Sequence, residues 1–483
     1  GYTTEDSDET YLGLTDEDFG SNPLARYAAS GSDLMEADHL QIQLRHFWTR
    51  GNVDVTTTAY RNDFSRNWYK LGKVLGTKIS SVVGTPEDHT SALDILKGAD
   101  SDPDALTVRA NNREYFGQGL QSALGLTVGT HELELGARFH QDEEDRFQWE
   151  DGFQMLDGSM RLTSAGEHGT QSNRVSSATA VAAFLQDEIS LGSWTITPGV
   201  RFEHIEFTRL DYAGDDPART SPTRTRVNRV DAWIPGVGFS YRMSALRVFG
   251  GVHRGFGPPG PGADEATRAE SSVNYELGGR WRRSGLAAEA IGFLTSYSNI
   301  LGEATLATGG DGSGQAFNGG SARVAGIEAS LDYDLLWAAP GVTRVPLRLA
   351  YTYTRESFLS GFDSDYGPWG TVAVGDRMPY VPRHQLSGSI GYDRKSWRLS
   401  ISMNASGAMR TQAGSGPIPV GQGTDAFVVF NASGQVQLGQ LGTLFAGLQN
   451  VTNQIHAVAR RPAGLRPGLP RSFMVGFRVE GVR

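Results

Sequence analysis

The stretch "FVVFNASGQVQLG", residues 427–439, alternates between two kinds of side chain. Successive residues of a β-strand point to opposite faces. One face of this stretch carries apolar side chains (Val428, Phe430, Ala432, Val436 and Leu438), and the other carries polar ones (Asn431, Ser433, Gln435 and Gln437). The stretch therefore predicts a strand with one apolar and one polar face, and the fold depends on which face lies inside.

Similar runs recur along the whole chain. About 17 of them can be identified, and they start near Leu40, Val53, Glu114, His131, Ala178, Trp194, Asp231, Leu246, Ser272, Leu286, Arg323, Val345, His384, Trp397, Ala426, Thr443 and Arg471. Tight turns, such as 129–130, 191–193 and 284–285, alternate with long connections at 62–112, 147–175, 209–229, 256–270, 300–320 and 356–382. Short turns at one end and long loops at the other are typical of outer-membrane β-barrels.

In such a barrel the apolar faces contact lipid and the polar faces line a wet lumen. Aromatic residues near the ends of runs (Trp194, Tyr241, Trp281 and Trp397) fit the aromatic girdles at the two membrane interfaces. A large soluble sandwich would need a second sheet to cover each apolar face, and a solenoid would show internal repeats. We therefore predict an all-β fold, a transmembrane antiparallel β-barrel with short periplasmic turns and long extracellular loops.

Composition excludes several classes of function. The net charge of −10 argues against a nucleic-acid partner, and the lack of cysteine excludes disulfides and thiolate metal sites. No hydrolase, P-loop or zinc-protease motif is present, so we predict neither an enzyme nor a resident cofactor. Acidic clusters at 15–18 and 142–146 could bind Ca²⁺, but they lack EF-hand spacing. A solvated acidic surface is the favoured interpretation, and no metal site is predicted.

Several motifs resemble those of a known family. The segments "HRGFGPPGPG" (253–262), "SSVNYELGGRWRRSGLAAEAIGFLTSYSNIL" (271–301), "FNGGSARVAGIEASLDY" (317–333) and "GLQNVTNQ…RRPAGLRPGLPRSFMVGF" (447–477) resemble the barrel of TonB-dependent outer-membrane receptors. More narrowly, "EDSDETYLGLTDEDFGSNPLARYAAS" (5–30) and "TTTAYRNDFSRNWYKL" (56–71) resemble the ferric dicitrate receptor branch. The resemblance covers essentially the whole chain.

The resemblance implies a receptor in the outer membrane of a Gram-negative bacterium, surrounded by outer-membrane lipid and lipopolysaccharide. It implies active uptake of an iron chelate similar to ferric citrate, energised by the TonB–ExbB–ExbD complex. A passive porin is an alternative, since porins have roughly 16 to 18 strands and an aqueous channel. A non-transporting adhesin barrel is a second alternative, but the receptor-like motifs and the very long loops favour the receptor.

The sequence also departs from this family. Its receptors carry a plug domain inside a barrel of about 22 strands, and neither a plug nor a TonB box is recognisable here. Counted back from the last strand, the first run is about the sixth of 22. We therefore expect residues 1–483 to be a receptor β-barrel domain without the plug and about five strands, starting in an extracellular loop. Barrels of this family end on an aromatic residue, whereas this sequence ends on Arg483 and Phe477 is the nearest aromatic.

A receptor for a small anionic chelate needs cationic walls, and arginine offers forked donors that match carboxylates. Alternation predicts a group of lumen-facing arginines (Arg138, Arg201, Arg247, Arg280 and Arg348) and a group near the outer mouth (Arg61, Arg66 and Arg146). The predicted substrate-binding residues are Arg138, Arg146, Gln148, Arg201, Arg61 and Arg66. Arg138 and Arg146, on a strand that enters a long outer loop with Gln148, are the preferred ligand contacts. The alternative is that lumenal arginines pair with lumenal glutamates (Glu134, Glu203, Glu276, Glu289 and Glu328) and only maintain the shape of the barrel or dock the plug.

Overall fold

A computed structural model describes residues 1–479 with the exception of 262, 264–266, 305–315 and 338–342. Arg483, the last residue of the sequence, lies outside the described residues. Most of the described chain forms one antiparallel sheet of 20 strands. Two of these, Thr77–Lys78 and Ser159–Ser164, are short hairpin arms at the loop end, which leaves 18 longer strands.

We number these 18 strands in chain order. They are β1 (Tyr2–Ser7), β2 (Leu34–Arg50), β3 (Val53–Val74), β4 (Leu106–Val128), β5 (His131–Leu156), β6 (Ser172–Leu191), β7 (Trp194–Asp211), β8 (Arg224–Met243), β9 (Leu246–Gly257), β10 (Glu270–Arg283), β11 (Leu286–Asn299), β12 (Ala322–Asp334), β13 (Pro346–Phe358), β14 (His384–Arg394), β15 (Trp397–Ser406), β16 (Phe427–Gln437), β17 (Thr443–Gln449) and β18 (Ser472–Arg478). Each pairs antiparallel with the next along the chain. Every one of the predicted runs is a strand, and the tight turns lie where predicted.

The sequence pattern did not reveal β1. Its sequence YTTEDS has no apolar alternation, yet it pairs with the outer half of β2 from Tyr2 opposite Leu40 to Ser7 opposite Met35. The expectation that the chain starts in an extracellular loop is therefore wrong, because residues 2–7 belong to the sheet.

One face of the sheet exposes a band of large apolar side chains. Val428 and Phe430 of β16 are 42% and 37% exposed, and Ile401 of the neighbouring β15 is 55% exposed. Soluble proteins rarely expose a contiguous apolar surface of this size, whereas a bilayer covers it. The predicted transmembrane antiparallel β-barrel fold is thus confirmed, with the polar face turned to the lumen. None of the helices in the described part of the chain has both the length and the hydropathy to cross a bilayer.

Several strands are much longer than a membrane requires. A tilted strand crosses the hydrocarbon core with roughly 9–11 residues, but β3 has 22 residues and β5 has 26. The outer halves of β3 to β8 therefore project beyond the bilayer. Two predicted connections are wrong in their bounds for this reason: 62–112 shrinks to 75–105, and 147–175 shrinks to 157–171.

The projecting strands carry a small apolar core of their own. Helices α1 (Asp16–Ser21), α2 (Ile79–Gly84) and α3 (Thr90–Lys97) belong to the loops that build it. Its buried side chains include Leu71 and Val108 of the sheet and Val82 and Leu96 of the helices. Because no lipid covers this part of the sheet, its apolar side chains are buried by packing against the helices of the loops, as in a soluble protein.

Replacing Val82 by alanine should therefore loosen this core without affecting the membrane-embedded wall. Val82 is fully buried, and removing two carbons costs roughly 1.5 kcal/mol at about 0.8 kcal/mol each. Hydrogen exchange of the protein should speed up in residues 79–97 and stay unchanged in β15. The matched control is Val374→Ala, since Val374 is 69% exposed; equal acceleration in both variants would contradict this account.

Loops join the two ends of the sheet at the outer rim. Leu12 and Leu14, which lie between β1 and β2, bridge to Ala463 and Leu465 in the loop before β18. Arg460 donates two hydrogen bonds, of 2.7 and 2.8 Å, to the Asp16 carboxylate. The sheet therefore curls around a lumen whose outer mouth is framed by segments from both ends of the chain.

Candidate anion-binding site

Four arginines lie side by side across four neighbouring strands. Arg66 of β3 is opposite Arg113 of β4, which is opposite Arg146 of β5, which is opposite Arg174 of β6. Strands in a sheet are roughly 4.8 Å apart, so the four Cα atoms span about 14 Å. We call these residues the arginine row. Like charges directly opposite each other destabilise a sheet, so the row needs a source of negative charge.

The row faces the lumen at the outer mouth. Leu135 and Phe139 of β5 are 53% and 44% exposed on the lipid side, and Arg146 lies at a position of the opposite parity. It is also 15 positions beyond His131, where β5 leaves its periplasmic turn. Since roughly 9–11 residues cross the hydrocarbon core, the row lies outside the bilayer.

Two carboxylates lie within this group. Glu144 bridges two members of the row: Arg113 donates to it at 2.8 Å and Arg146 at 2.7 Å. Asp211 lies opposite Arg174 and accepts hydrogen bonds from Arg209. The row and Arg209 together carry five guanidinium groups, and Glu144 and Asp211 are carboxylates that the described contacts place beside them.

The row is also poorly hydrated. Arg146 is 8% exposed and Arg174 is 7% exposed. Burial, reinforced by Arg146 and Arg209, lowers the pKa of the Arg174 guanidinium to about 9, and burial together with Arg113 lowers the pKa of Arg146. Burial by itself raises the pKa of Glu144, but Arg146 and Arg113 outweigh it and leave that pKa lowered. Several guanidinium groups are thus crowded into a site where a bound anion would be strongly favoured.

Basic side chains also lie between the row and the loops. Lys70 of β3 is 2% exposed, and its Nζ lies 3.6 Å from the ring centroid of Tyr11 and 4.3 Å from that of Trp68. Burial, followed by the nearby Arg66 and Arg113, lowers the pKa of Lys70 to about 6. The guanidinium of Arg466 lies 6.0 Å from the Tyr11 ring. Tyr11 therefore lies between a lysine of the barrel wall that is largely neutral at neutral pH and the Arg466 cation of the last loop.

Comparison with known proteins shows the family to which this β-barrel belongs. Residues 1–451 match the family model described as "TonB dependent receptor-like, beta-barrel". The chain belongs to this family. The match covers most of the sequence, including all four members of the arginine row.

Solved structures of similar fold include several receptors. The unliganded ferric citrate transporter FecA is 18% identical over 98% of this chain and 65% of its own, with a TM-score of 0.73. The siderophore receptor PiuA from Acinetobacter baumannii is 14% identical, with a TM-score of 0.72 and coverage of 98% and 70%. The closed form of the ferric-catecholate import receptor Fiu from E. coli K12 is also 14% identical, with a TM-score of 0.69 and the same coverage. The chain thus spans about two thirds of the length of these receptors.

The receptor barrel brings together three of the predicted substrate-binding residues. Arg66 and Arg146 belong to the arginine row, and the Arg66 guanidinium lies 3.4 Å from the hydroxyl of Tyr115. Gln148 is 4% exposed beside the row and donates to the side chain of Asn111. Both Arg146 and Gln148 lie within β5, although the sequence placed Gln148 in a loop.

Arg138 lies deeper in the lumen of this receptor barrel. Its guanidinium donates to the Tyr60 hydroxyl at 2.8 and 3.1 Å, and Tyr60 is hydrogen-bonded to His140 at 2.7 Å. No carboxylate of the described residues forms an ion pair with Arg138. Because the Tyr60 hydroxyl is uncharged, it does not neutralise the charge of the Arg138 guanidinium. That Arg138 binds the ligand stays a prediction.

Arg61 does not reach the lumen of the receptor. It lies opposite Ile42 of β2 and Gln118 of β4 on the outward face. Its guanidinium forms an ion pair of 2.6 Å with the Asp63 carboxylate. Arg61 and Arg66 differ by an odd number of positions along β3, so they point to opposite faces. The sequence assigned no face to Arg61, which is the last residue before the predicted connection 62–112.

The pairing alternative fits the remaining lumenal arginines. Arg201 donates to Glu203 at 2.6 Å and lines a recess of about 800 Å³ low in the lumen, together with Arg247 and Glu276. Arg280 pairs with Glu289, and Arg348 pairs with Asp332. The Arg280–Glu289 and Arg348–Asp332 pairs join neighbouring strands, whereas the Arg201–Glu203 pair lies within β7. These contacts give little reason to assign the residues to a ligand.

Sequence reasoning missed Arg113, Arg174 and Arg209. All three lie where β4, β6 and β7 project from the membrane, at or next to positions predicted to be long connections. Extending the alternation beyond the apolar segments would have placed Arg113 and Arg174 on the lumenal face. Their alignment with Arg66 and Arg146 depends on the register of the strands, which no local pattern encodes.

The acidic clusters are engaged in other contacts. Asp16 binds Arg460, Asp145 accepts two hydrogen bonds from Arg219, and Asp142 contacts His140. In the described part of the chain no group of three or more His, Asp or Glu side chains is arranged to hold a metal ion. The interpretation of these clusters as solvated acidic surface stays a prediction.

Proposed function

We propose that this chain is the barrel of an outer-membrane receptor that takes up an anionic iron chelate similar to ferric citrate. The arginine row supports this proposal most strongly. It concentrates positive charge on the lumenal wall at the outer mouth, where a ligand arriving from outside is first met. Its cost to the stability of the sheet is explained if a bound polyanion offsets it.

The chemistry of the row favours carboxylates. A guanidinium presents parallel N–H donors whose spacing matches the two oxygens of a carboxylate. Several such forks within about 14 Å suit a compact chelate with several carboxylates better than a neutral one. Receptors of this fold serve different chelates, since FecA is a ferric citrate transporter and Fiu imports ferric-catecholate. The fold alone therefore does not determine which chelate is bound. The side chains at the outer mouth determine it.

Uptake then proceeds inward along β5. The chelate is captured by Arg66, Arg113 and Arg146 and passes to Arg138, which lies 8 positions deeper, or roughly 26 Å of strand. Movement through the lumen is driven by the TonB–ExbB–ExbD complex in a Gram-negative bacterium. We propose that residues 1–483 are the barrel domain of a longer receptor, in which a plug domain and further strands complete the gate.

Substitution of two arginines tests the function. Arg66→Gln and Arg138→Gln should each weaken binding of ferric citrate to the full-length receptor. A hydrogen bond to a charged group contributes roughly 1.5–3 kcal/mol, so each loss should lower affinity by about ten- to a hundredfold. Neither arginine has a carboxylate partner among the described ion pairs, so the fold should remain intact. Equilibrium titration with iron-loaded citrate measures the effect.

The matched control is Arg61→Gln. Arg61 lies on the same strand as Arg66 but points outward, so its loss should leave affinity unchanged. Heat-modifiable gel mobility reports whether each variant is folded. Equal weakening by Arg61→Gln and Arg66→Gln would contradict the proposed site, and so would full affinity in both test variants. Steady ion conductance through the receptor in a planar bilayer, independent of the chelate, would instead support the porin alternative.

A further inference from the structure

A hydroxyl, an imidazole and a carboxylate form a chain on the lumenal wall, deeper than the arginine row. Tyr60 of β3 lies in one cross-strand row with Gly119 of β4 and His140 of β5. Its side chain crosses over Gly119, where an added Cβ would collide with the Tyr60 hydroxyl, and its oxygen lies 2.7 Å from His140 Nδ1. His140 Nε2 lies 3.1 Å from the Asp142 carboxylate. We call Tyr60, His140 and Asp142 the tyrosine chain.

The direction of these hydrogen bonds follows from Arg138. Its guanidinium donates twice to the Tyr60 oxygen, at 2.8 and 3.1 Å, so the hydroxyl proton of Tyr60 is directed at His140. The Asp142 carboxylate only accepts, which assigns the N–H of His140 to Nε2 and leaves Nδ1 as the acceptor. The tyrosine chain therefore joins a hydroxyl to a base that can take its proton, and a carboxylate stabilises that base once it is protonated.

The arginine row alone cannot distinguish iron-loaded citrate from free citrate. Both present carboxylates, and a guanidinium binds a carboxylate in the same forked manner in either case. Free citrate would therefore compete for the row. A contact with the iron itself removes this ambiguity, and a deprotonated tyrosine oxygen is a protein ligand of ferric iron.

We propose that Tyr60 binds the iron of the chelate directly and thereby retains the iron-loaded form at this deeper position in the lumen. The inference rests on the proposed function, since it takes ferric citrate as the cargo. The Tyr60 O–H bond breaks, its proton passes to His140 Nδ1, and the oxygen forms a bond to Fe(III). One bond between the iron and a citrate carboxylate breaks, and Arg138 donates to the carboxylate that is released. One anionic oxygen replaces another, so the iron stays Fe(III).

A bond between iron and a tyrosine oxygen gives a direct optical signal. The full-length receptor, saturated with ferric citrate, should show a tyrosinate-to-Fe(III) charge-transfer band in the visible region and resonance-enhanced tyrosine vibrations in its Raman spectrum. Tyr60→Phe should lose both signals and still bind ferric citrate through the arginine row. His140→Gln should weaken both signals, because an amide cannot take the proton of Tyr60.

The matched control is Tyr351→Phe. Tyr351 forms the same kind of pair, with its hydroxyl 2.8 Å from His384 Nδ1, but it lies on the lipid-facing side and is 37% exposed. This variant should keep both signals. A second measurement follows the release of radioactive iron from the saturated receptor into excess free citrate, which should be faster from Tyr60→Phe than from the parent.

The outcomes separate this inference from the proposed function. If the parent binds ferric citrate without the two signals, or if Tyr60→Phe keeps them, the inference is overturned and the proposed function stands. Equal rates of iron release from the parent and from Tyr60→Phe would overturn the retention of the iron-loaded form. If the parent does not bind ferric citrate at all, both proposals are wrong.

Discussion

Replacing Ile401 by arginine is expected to prevent normal assembly of the full-length receptor. Ile401 is the fifth residue of the ten-residue strand β15, is 55% exposed, and lies opposite Ile390 and Ala432 on the lipid-facing side. Arginine near the bilayer midplane of a β-barrel costs roughly 2–4 kcal/mol. The variant should lose heat-modifiable gel mobility in outer-membrane fractions and accumulate as degraded or unassembled chain.

The neighbouring residue provides the control. Ser402 lies opposite Ser389 and Asn431 on the lumenal side, so Ser402→Arg places the same charge at the same depth in a polar environment. Assembly of this variant should be close to that of the parent. Equal damage from both substitutions would mean that depth alone matters, and a reversed result would mean that the two faces are exchanged.

Neutralising the arginine row should nearly abolish binding of ferric citrate. The variant changes Arg66, Arg113, Arg146 and Arg174 to glutamine, and it also carries Glu144→Gln so that no buried carboxylate loses its partners. Losing three or more charge-assisted hydrogen bonds of roughly 1.5–3 kcal/mol each should lower affinity by at least about a thousandfold. Isothermal titration with iron-loaded citrate measures the change.

The same variant should melt at an unchanged or higher temperature. Opposed like charges destabilise a sheet, and the substitutions remove four of them. Loss of binding together with retained stability would identify the row as a site built at a cost to the fold. Retained binding would exclude the row as the site, and loss of both binding and folding would show that its role is structural.

The sequence predicts the membrane-embedded wall well, because lipid on one side and water on the other force apolar and polar residues to alternate. Every run with that alternation became a strand. Where the sheet leaves the membrane, both faces become polar or are covered by loops. Arg61 and Asp63 on the outward face of β3 illustrate this change, and there the alternation disappears. Strands β3 and β5 were consequently predicted to end too early, and strands β4 and β6 to start too late.

The candidate site was only half predictable for the same reason. Arg66 and Arg146 could be placed near the mouth, but Arg113 and Arg174 fell at or inside predicted loops. Their alignment is a non-local property, because it requires the registers of three strand pairs to agree over connections of up to 31 residues (75–105). A sequence pattern sets which face each residue takes, whereas only the folded sheet sets which residues are neighbours.

The most direct test of the central claim is iron-edge anomalous diffraction from crystals of the full-length receptor soaked with ferric citrate. We expect an iron peak in the outer lumen, with citrate oxygens roughly 2.7–2.9 Å from guanidinium nitrogens of Arg66, Arg113 or Arg146. An iron peak elsewhere in a fully occupied complex, with the arginine row bound to no part of the chelate, would contradict it.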